Sequence, residues 1–165
     1  MIITPHLLVG AAIGAKTHNL GLIIILGLLS HLILDKIPHW DYGEKLEKLP
    51  HDKFFVKNLM ILFLKIALDG CAGLIILSII IWQKNIFAGK ELYILIGILS
   101  SLFPDFVLGI VKLLAHTNKF KNFSEKYIGF HDYSLHSPRH IKKPSLLGLG
   151  TEILISLVAV TILLL

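Results

Sequence analysis

The chain has 165 residues, enough for one domain over 1–165, and it is 55% hydrophobic and only 16% charged, with a net charge of +5. Soluble domains carry about 25% charged residues, so this composition excludes an ordinary soluble globular protein and predicts an integral membrane one. The single cysteine, Cys71, excludes an intramolecular disulfide and a cysteine-rich zinc site.

In chain order, residues 4–15 read as a short apolar helix, with Pro5 suited to its first turn. A span needs about 20 residues, so this helix is short unless it runs on through Lys16. No basic n-region precedes it, and insertion is expected to rely on uncleaved helices. Residues 16–19 form a turn. Residues 20–37 form a second apolar helix, closed by Pro38. Residues 41–57 are polar with charges of both signs, a surface loop or short interfacial helix. Residues 54–82 form a long apolar helix carrying Lys65 and Asp69, and residues 91–114 a fourth, expected to break at Pro104-Asp105. Residues 115–144 are the longest polar segment and hold four of the nine histidines. Residues 145–165 form the last helix, with Glu152 expected in its first turns. The reading is an all-α membrane bundle of about five apolar helices, the first one short, with a polar loop near 115–144.

Lys and Arg set the orientation. The side with segments 41–57 and 115–144 carries twelve of them, and the other side only Lys16, Lys84 and Lys90. The first side is therefore expected to be cytoplasmic, with the N-terminus inside and the C-terminus outside. Basic loops flanking apolar spans suit anionic lipid headgroups, and no nucleic-acid partner is expected.

On this map the unusual polar residues converge. His31 and Asp35 share one face of the second helix. His39 and Asp41 follow Pro38, and His6 opens the first helix. Asp69 and Asp105 fall in the cytoplasmic halves of their helices, Glu152 near the cytoplasmic start of the last, and His131 and His136 in the cytoplasmic loop. Ionisable groups inside apolar helices are costly, so by default they mark a site. Histidines with carboxylates and no cysteine suit Zn²⁺, with Mn²⁺ or Fe as alternatives, and this many donors allow one to three ions. Such ions activate a water for phosphoester hydrolysis. The competing roles are an Asp69–Lys65 ion pair, a helix-start position for Glu152 and a cap at Asp105.

These residues resemble the YdjM-like family of small membrane-bound metal-dependent hydrolases. The shared features are His6 at the start of the first helix, a Pro-Asp-type element in apolar surroundings, and a His-x4-His-Ser element, here His131-Asp132-Tyr133-Ser134-Leu135-His136-Ser137. The family's Pro-Asp-x-Asp-His pattern stands here in two partial copies, Pro38-His39-Trp40-Asp41 and Pro104-Asp105-Phe106-Val107, and its Arg-Gly after the first loop histidine is Asp132-Tyr133. The resemblance implies metal ligands at His6, His31, Asp35, His39, Asp105 and His136, with Asp41 and His131 catalytic and Asp69 and Glu152 as supporting or additional ligands. More distantly, His31-x3-Asp35 followed by Pro38 is similar to the ligand helix of zinc-dependent phospholipase C and P1-type nucleases, which implies phosphate-ester chemistry. The substrate class expected is a lipid or small-molecule phosphate at the cytoplasmic membrane face. An ion transporter is the alternative, but it calls for polar residues at all depths, and the far halves of the helices are almost purely apolar. A non-enzymatic membrane scaffold is a further alternative, and it leaves the clustering without a reason.

Overall fold

The computed structural model describes residues 2–40, 55–84, 89–114, 120–134 and 146–165. Among the described residues there are six helices and no strands: α1 (Ile3–Lys16), α2 (Leu20–Leu34), α3 (Phe55–Lys84), α4 (Glu91–Leu114), α5 (Lys121–Ser134) and α6 (Leu146–Leu164). The expected five become six because the polar segment 115–144 contains α5. That helix has no long apolar run. It is held by packing on α4 and by the stacked pair Phe123 and Tyr127, four residues apart with ring centroids 6.4 Å apart.

Stretches within α3, α4 and α6 (Met60–Trp82, Glu91–Val111 and Leu146–Leu164) are long and apolar enough to cross a membrane. Their surfaces carry many exposed Leu, Ile and Phe side chains, such as Leu68, Leu99 and Leu154, as a lipid-facing surface requires. Helices α1 and α2 have 14 and 15 residues, a length of about 21–22 Å against a hydrocarbon core of about 30 Å. Two boundaries differ from expectation. α2 ends at Leu34, and Asp35 is its C-cap, followed by tighter turns that bond Lys36 N to Ile33 O and Ile37 N to Leu34 O. α4 runs unbroken through Pro104.

The short α1 is the hub, packed against α2, α3, α4 and α6. Leu7, Leu8, Ala11, Ala12 and Ala15 on α1 form the core with Leu77 and Ile80 of α3, Ile94 of α4, and Ala159 and Leu163 of α6. Its crossing with α4 is close because Gly10 and Gly97 face each other. A Cβ on Gly10 would lie 2.5 Å from the Gly97 carbonyl oxygen. Small residues are how membrane helices gain contact, because lipid offers no hydrophobic contrast.

Both ends of α1 are closed by side chains from elsewhere in the chain, Asp69 of α3 and Lys90 just before α4. Ile2, at the N-cap, offers no side-chain hydrogen bond. Instead the Thr4 amide donates to Asp69 Oδ2 at 2.9 Å and its hydroxyl donates to Asp69 Oδ1 at 2.7 Å. An acid at a helix N-terminus satisfies orphan amides and complements the dipole. At the other end Lys90 Nζ donates to Ala15 O at 3.1 Å.

Direction decides where chemistry can gather. Gly14 lies against Ile94, Gly10 against Gly97, and the His6 carbonyl against Ser101, so α1 and α4 are antiparallel. Gly27 lies against Ser100 and His31 near Asp105, so α2 and α4 run parallel. The start of α1, the end of α2 and the latter part of α4 therefore meet at one end of the bundle.

Candidate metal centre

At that end His6, His31, Asp35 and Asp105 come together. His31 lies on the buried stripe Ile23, Gly27, His31 and Leu34 of α2, which faces the bundle interior. His6, one turn into α1, is fully buried, as are His31 and Asp35. The two imidazoles stack with centroids 4.4 Å apart. Asp35 joins them: Oδ1 lies 3.2 Å from His6 Nε2 and Oδ2 lies 3.1 Å from His31 Nε2. Asp105 Oδ1 is 3.7 Å from His31 Nε2, and its side chain is 32% exposed, so the cluster opens outward on that side.

The protonation of His31 follows from its other nitrogen. Its Nδ1 is 2.8 Å from the Ser101 carbonyl oxygen, which can only accept, so Nδ1 carries the hydrogen. In the neutral ring Nε2 then presents a lone pair toward two carboxylates, an arrangement that calls for a cation between them or a proton on the ring. A ring N–H held by a backbone carbonyl while the other nitrogen faces a carboxylate cluster is the pattern of metal-bound histidine. His39 shares the backbone half of it, with Nδ1 donating to Ile37 O at 2.6 Å. His6 Nδ1 is buried with no hydrogen-bond partner among the described residues.

A donor atom from each of His6, His31 and Asp105 fits within 4.8 Å of the others, so this group can hold a metal ion. The His–Asp35 separations of 3.1 and 3.2 Å are those of hydrogen bonds. They are also close to the roughly 3.3 Å between ligands that bond one tetrahedral ion at about 2.0–2.1 Å. The donor set, two imidazoles with carboxylates, suits a borderline divalent ion better than Mg²⁺ or Ca²⁺.

Pro104, inside α4, has no N–H, so Ser100 O loses its helical donor. The adjacent Ser101 O accepts from His31, and Ser101 Oγ donates to His6 O at 2.8 Å. Both bonds run between helices, tying backbone carbonyls of α1 and α4 to side chains of their neighbours. One fully buried serine thus ties α1 and α2 to α4. Sequence reasoning missed it, although Ser101 precedes Asp105 by one helical turn in an otherwise apolar helix.

The other candidates are distributed around this cluster. Asp69 closes the start of α1 through Thr4, two residues from His6, while Lys65 is exposed. Asp69, expected as a supporting or additional ligand with a Lys65 ion pair as the competing role, closes the start of the helix that carries His6. Glu152 lies within the first two turns of α6. It is buried in the second turn, where Oε1 accepts from the Trp40 amide at 3.1 Å, and Oε2 has no hydrogen-bond partner among the described residues. Thr151 Oγ1 donates to Pro38 O at 2.6 Å. His39, itself buried, is thereby held between two anchors on α6. His131 lies in α5, and Asp41 and His136 lie outside the described residues. α5 packs on α4 beside Asp105. Partial burial and the Asp105 charge both push the Tyr127 phenol above its ordinary pKa.

No protein-family model, curated protein or solved structure matches this chain.

Proposed function

We propose that this protein is a membrane-embedded, metal-dependent hydrolase of the YdjM-like kind, cleaving a phosphate ester of a lipid or other amphiphile at the cytoplasmic membrane face. The observation that carries the reading is the buried junction of two stacked histidines on Asp35, with Asp105 partly exposed beside them. Purely structural ion pairs gain little in such a place. Burying charge costs more than a well-packed apolar contact returns, so buried ionisable clusters in membrane helices point to function.

In this reading His6, His31 and Asp105 hold a divalent ion, Zn²⁺ first and Mn²⁺ or Fe as alternatives, with Asp35 as a further donor and His39 and His136 as ligands of any additional ion. The ion supplies a water of lowered pKa and positive charge for the phosphate oxygens. The chain's own part is to hold His31 in one tautomer through Ser101 O, to keep the histidine side of the cluster dry, and to leave Asp105 accessible. His131 and Asp41 are proposed as the general base and acid. The far halves of the helices are apolar, which favours hydrolysis at one face over transport.

The test is elemental analysis of purified protein before and after chelation, paired with release of phosphate from a soluble phosphomonoester. Metal at one or more equivalents, with activity that disappears on chelation and returns on Zn²⁺ or Mn²⁺ addition, is the expected result. Folded protein that binds neither ion by calorimetry would end the proposal.

A further inference from the structure

A cavity of about 510 Å³ lies between α1, α2 and α6. Its walls are apolar: Val9 and Ile13 of α1, Leu34 of α2, and Ile155, Val158 and Ile162 of α6, with Lys16 and Thr17 at one end. The opposite end is reached along three separate walls, and each wall carries a buried polar group there. His6 precedes Val9 by one turn of α1, Glu152 precedes Ile155 by one turn of α6, and Asp35 follows Leu34 directly. Residues three apart share a helix face, so along α1 and α6 the groove ends about one turn short of His6 and Glu152. His6, Asp35 and Glu152 are each at most 2% exposed, and His6 Nδ1 and Glu152 Oε2 have no hydrogen-bond partner among the described residues.

We propose that this groove holds the hydrocarbon tail of the substrate, an alkyl phosphate ester whose headgroup sits at His6, His31 and Asp105. The inference rests on the hydrolase reading for the headgroup chemistry. The tail follows from the groove itself: its lining cannot satisfy a polar occupant, and its volume falls in the range of small-molecule sites. From Leu154 to Ile162 the wall rises about 12 Å at 1.5 Å per residue, enough for a medium-length chain such as decyl.

The experiment uses decylphosphonate, which has no ester to cleave, with a photoreactive diazirine on its terminal carbons. It is incubated with the metal-loaded protein in lipid nanodiscs, and labelled peptides are mapped by mass spectrometry. With the headgroup at the cluster, the tail end labels α1 and α6 around Ile13 and Ile162. Val158 is 52% exposed at the lip of the groove. Val158→Trp should remove that labelling while metal content is unchanged, and Ala12→Leu, which narrows the groove from the α1 side, should do the same. Labelling around Val9 and Ile155 instead would mean a lipid held by its phosphate at Lys16, and would overturn the inference. Equal labelling of the exposed face of α3 would overturn it as well. Hydrolysis of decyl phosphate is measured in parallel. Groove labelling without hydrolysis removes the hydrolase reading and leaves the tail site, whereas hydrolysis with an unlabelled groove removes the tail site alone.

Discussion

Asp35→Asn is predicted to uncouple stability from metal. In the folded chain Asp35 is fully buried, with its oxygens 3.2 Å from His6 Nε2 and 3.1 Å from His31 Nε2. Asparagine keeps the volume, removes the charge and turns one oxygen into a donor. A cation held between the histidines would lose its nearest carboxylate and be released. At free metal about 1,000 times Kd, a bound ion contributes about 4 kcal/mol to wild-type stability. For a chain of this size each kcal/mol moves Tm by roughly 2–4 °C, which makes the expected difference on the order of 8–16 °C. The assay is a thermal melt in detergent, with and without chelator, on wild type and Asp35→Asn, with metal content measured on the same samples. Chelator should lower the wild-type Tm by that amount and leave the variant, already metal-free, unmoved. The refuting result is a wild type indifferent to chelator beside a variant destabilised by the ~3–5 kcal/mol typical of breaking a buried ion pair. That outcome would make the cluster a protonated imidazole–carboxylate network with no ion in it.

Three further outcomes are predicted. Pro104→Ala restores a donor for Ser100 O and tightens the turn that offers Ser101 O to His31; metal affinity, read by competition with a chromophoric chelator, should fall about 10–100-fold with helix content unchanged. Asp69→Ala removes both bonds that close α1 and should cost about 1–2 kcal/mol in unfolding experiments, whereas Thr4→Val loses the hydroxyl bond but keeps the Thr4 amide and should cost less; metal stoichiometry is retained in both, and the double variant should be little worse than Asp69→Ala alone, because the Thr4 hydroxyl has no Asp69 carboxylate left to lose. In a Cys71→Ser background, single cysteines placed in 41–57 and in 85–88 should label from opposite faces of the membrane, as the twelve-to-three Lys/Arg bias requires; labelling from the same face would contradict the orientation.

Much of the fold was legible because lipid-facing helices announce themselves by length and apolarity, and α3, α4 and α6 did so. What failed to show was any helix whose stability comes from somewhere other than an apolar run. α5 has the composition of a loop, and its helicity rests on Phe123 and Tyr127 and on the surface of α4. The break expected at Pro104 was wrong for a related reason. Proline removes one hydrogen bond and crowds one carbonyl, but neighbouring helices can take up the freed group, so in a bundle it loosens a helix without ending it. The central place of α1 was also hidden. Its 14 residues look like an incomplete span, and only the meeting of Gly10 with Gly97, and the closures by Asp69 and Lys90, make a short helix suitable as a hub.

The site was legible where side-chain chemistry alone defined it and obscure where backbone groups did. The i,i+4 spacing of His31 and Asp35 placed them on one face, and the placement of His6 and Asp105 toward the same end followed from alternating helix direction. Nothing in a one-dimensional reading shows that Ser101 donates to the His6 carbonyl and accepts from His31, because both bonds depend on the α1·α4 and α2·α4 crossings. Nor does it show that Asp69, which looks like a partner for Lys65, serves Thr4 65 residues away. The consequence is a division of labour among the acids. Asp35 and Asp105 touch an imidazole, while Asp69 and Glu152 fix the segments that deliver His6 and His39. Substitution of the first pair should therefore change what the cluster binds, and substitution of the second pair how firmly it is held in place.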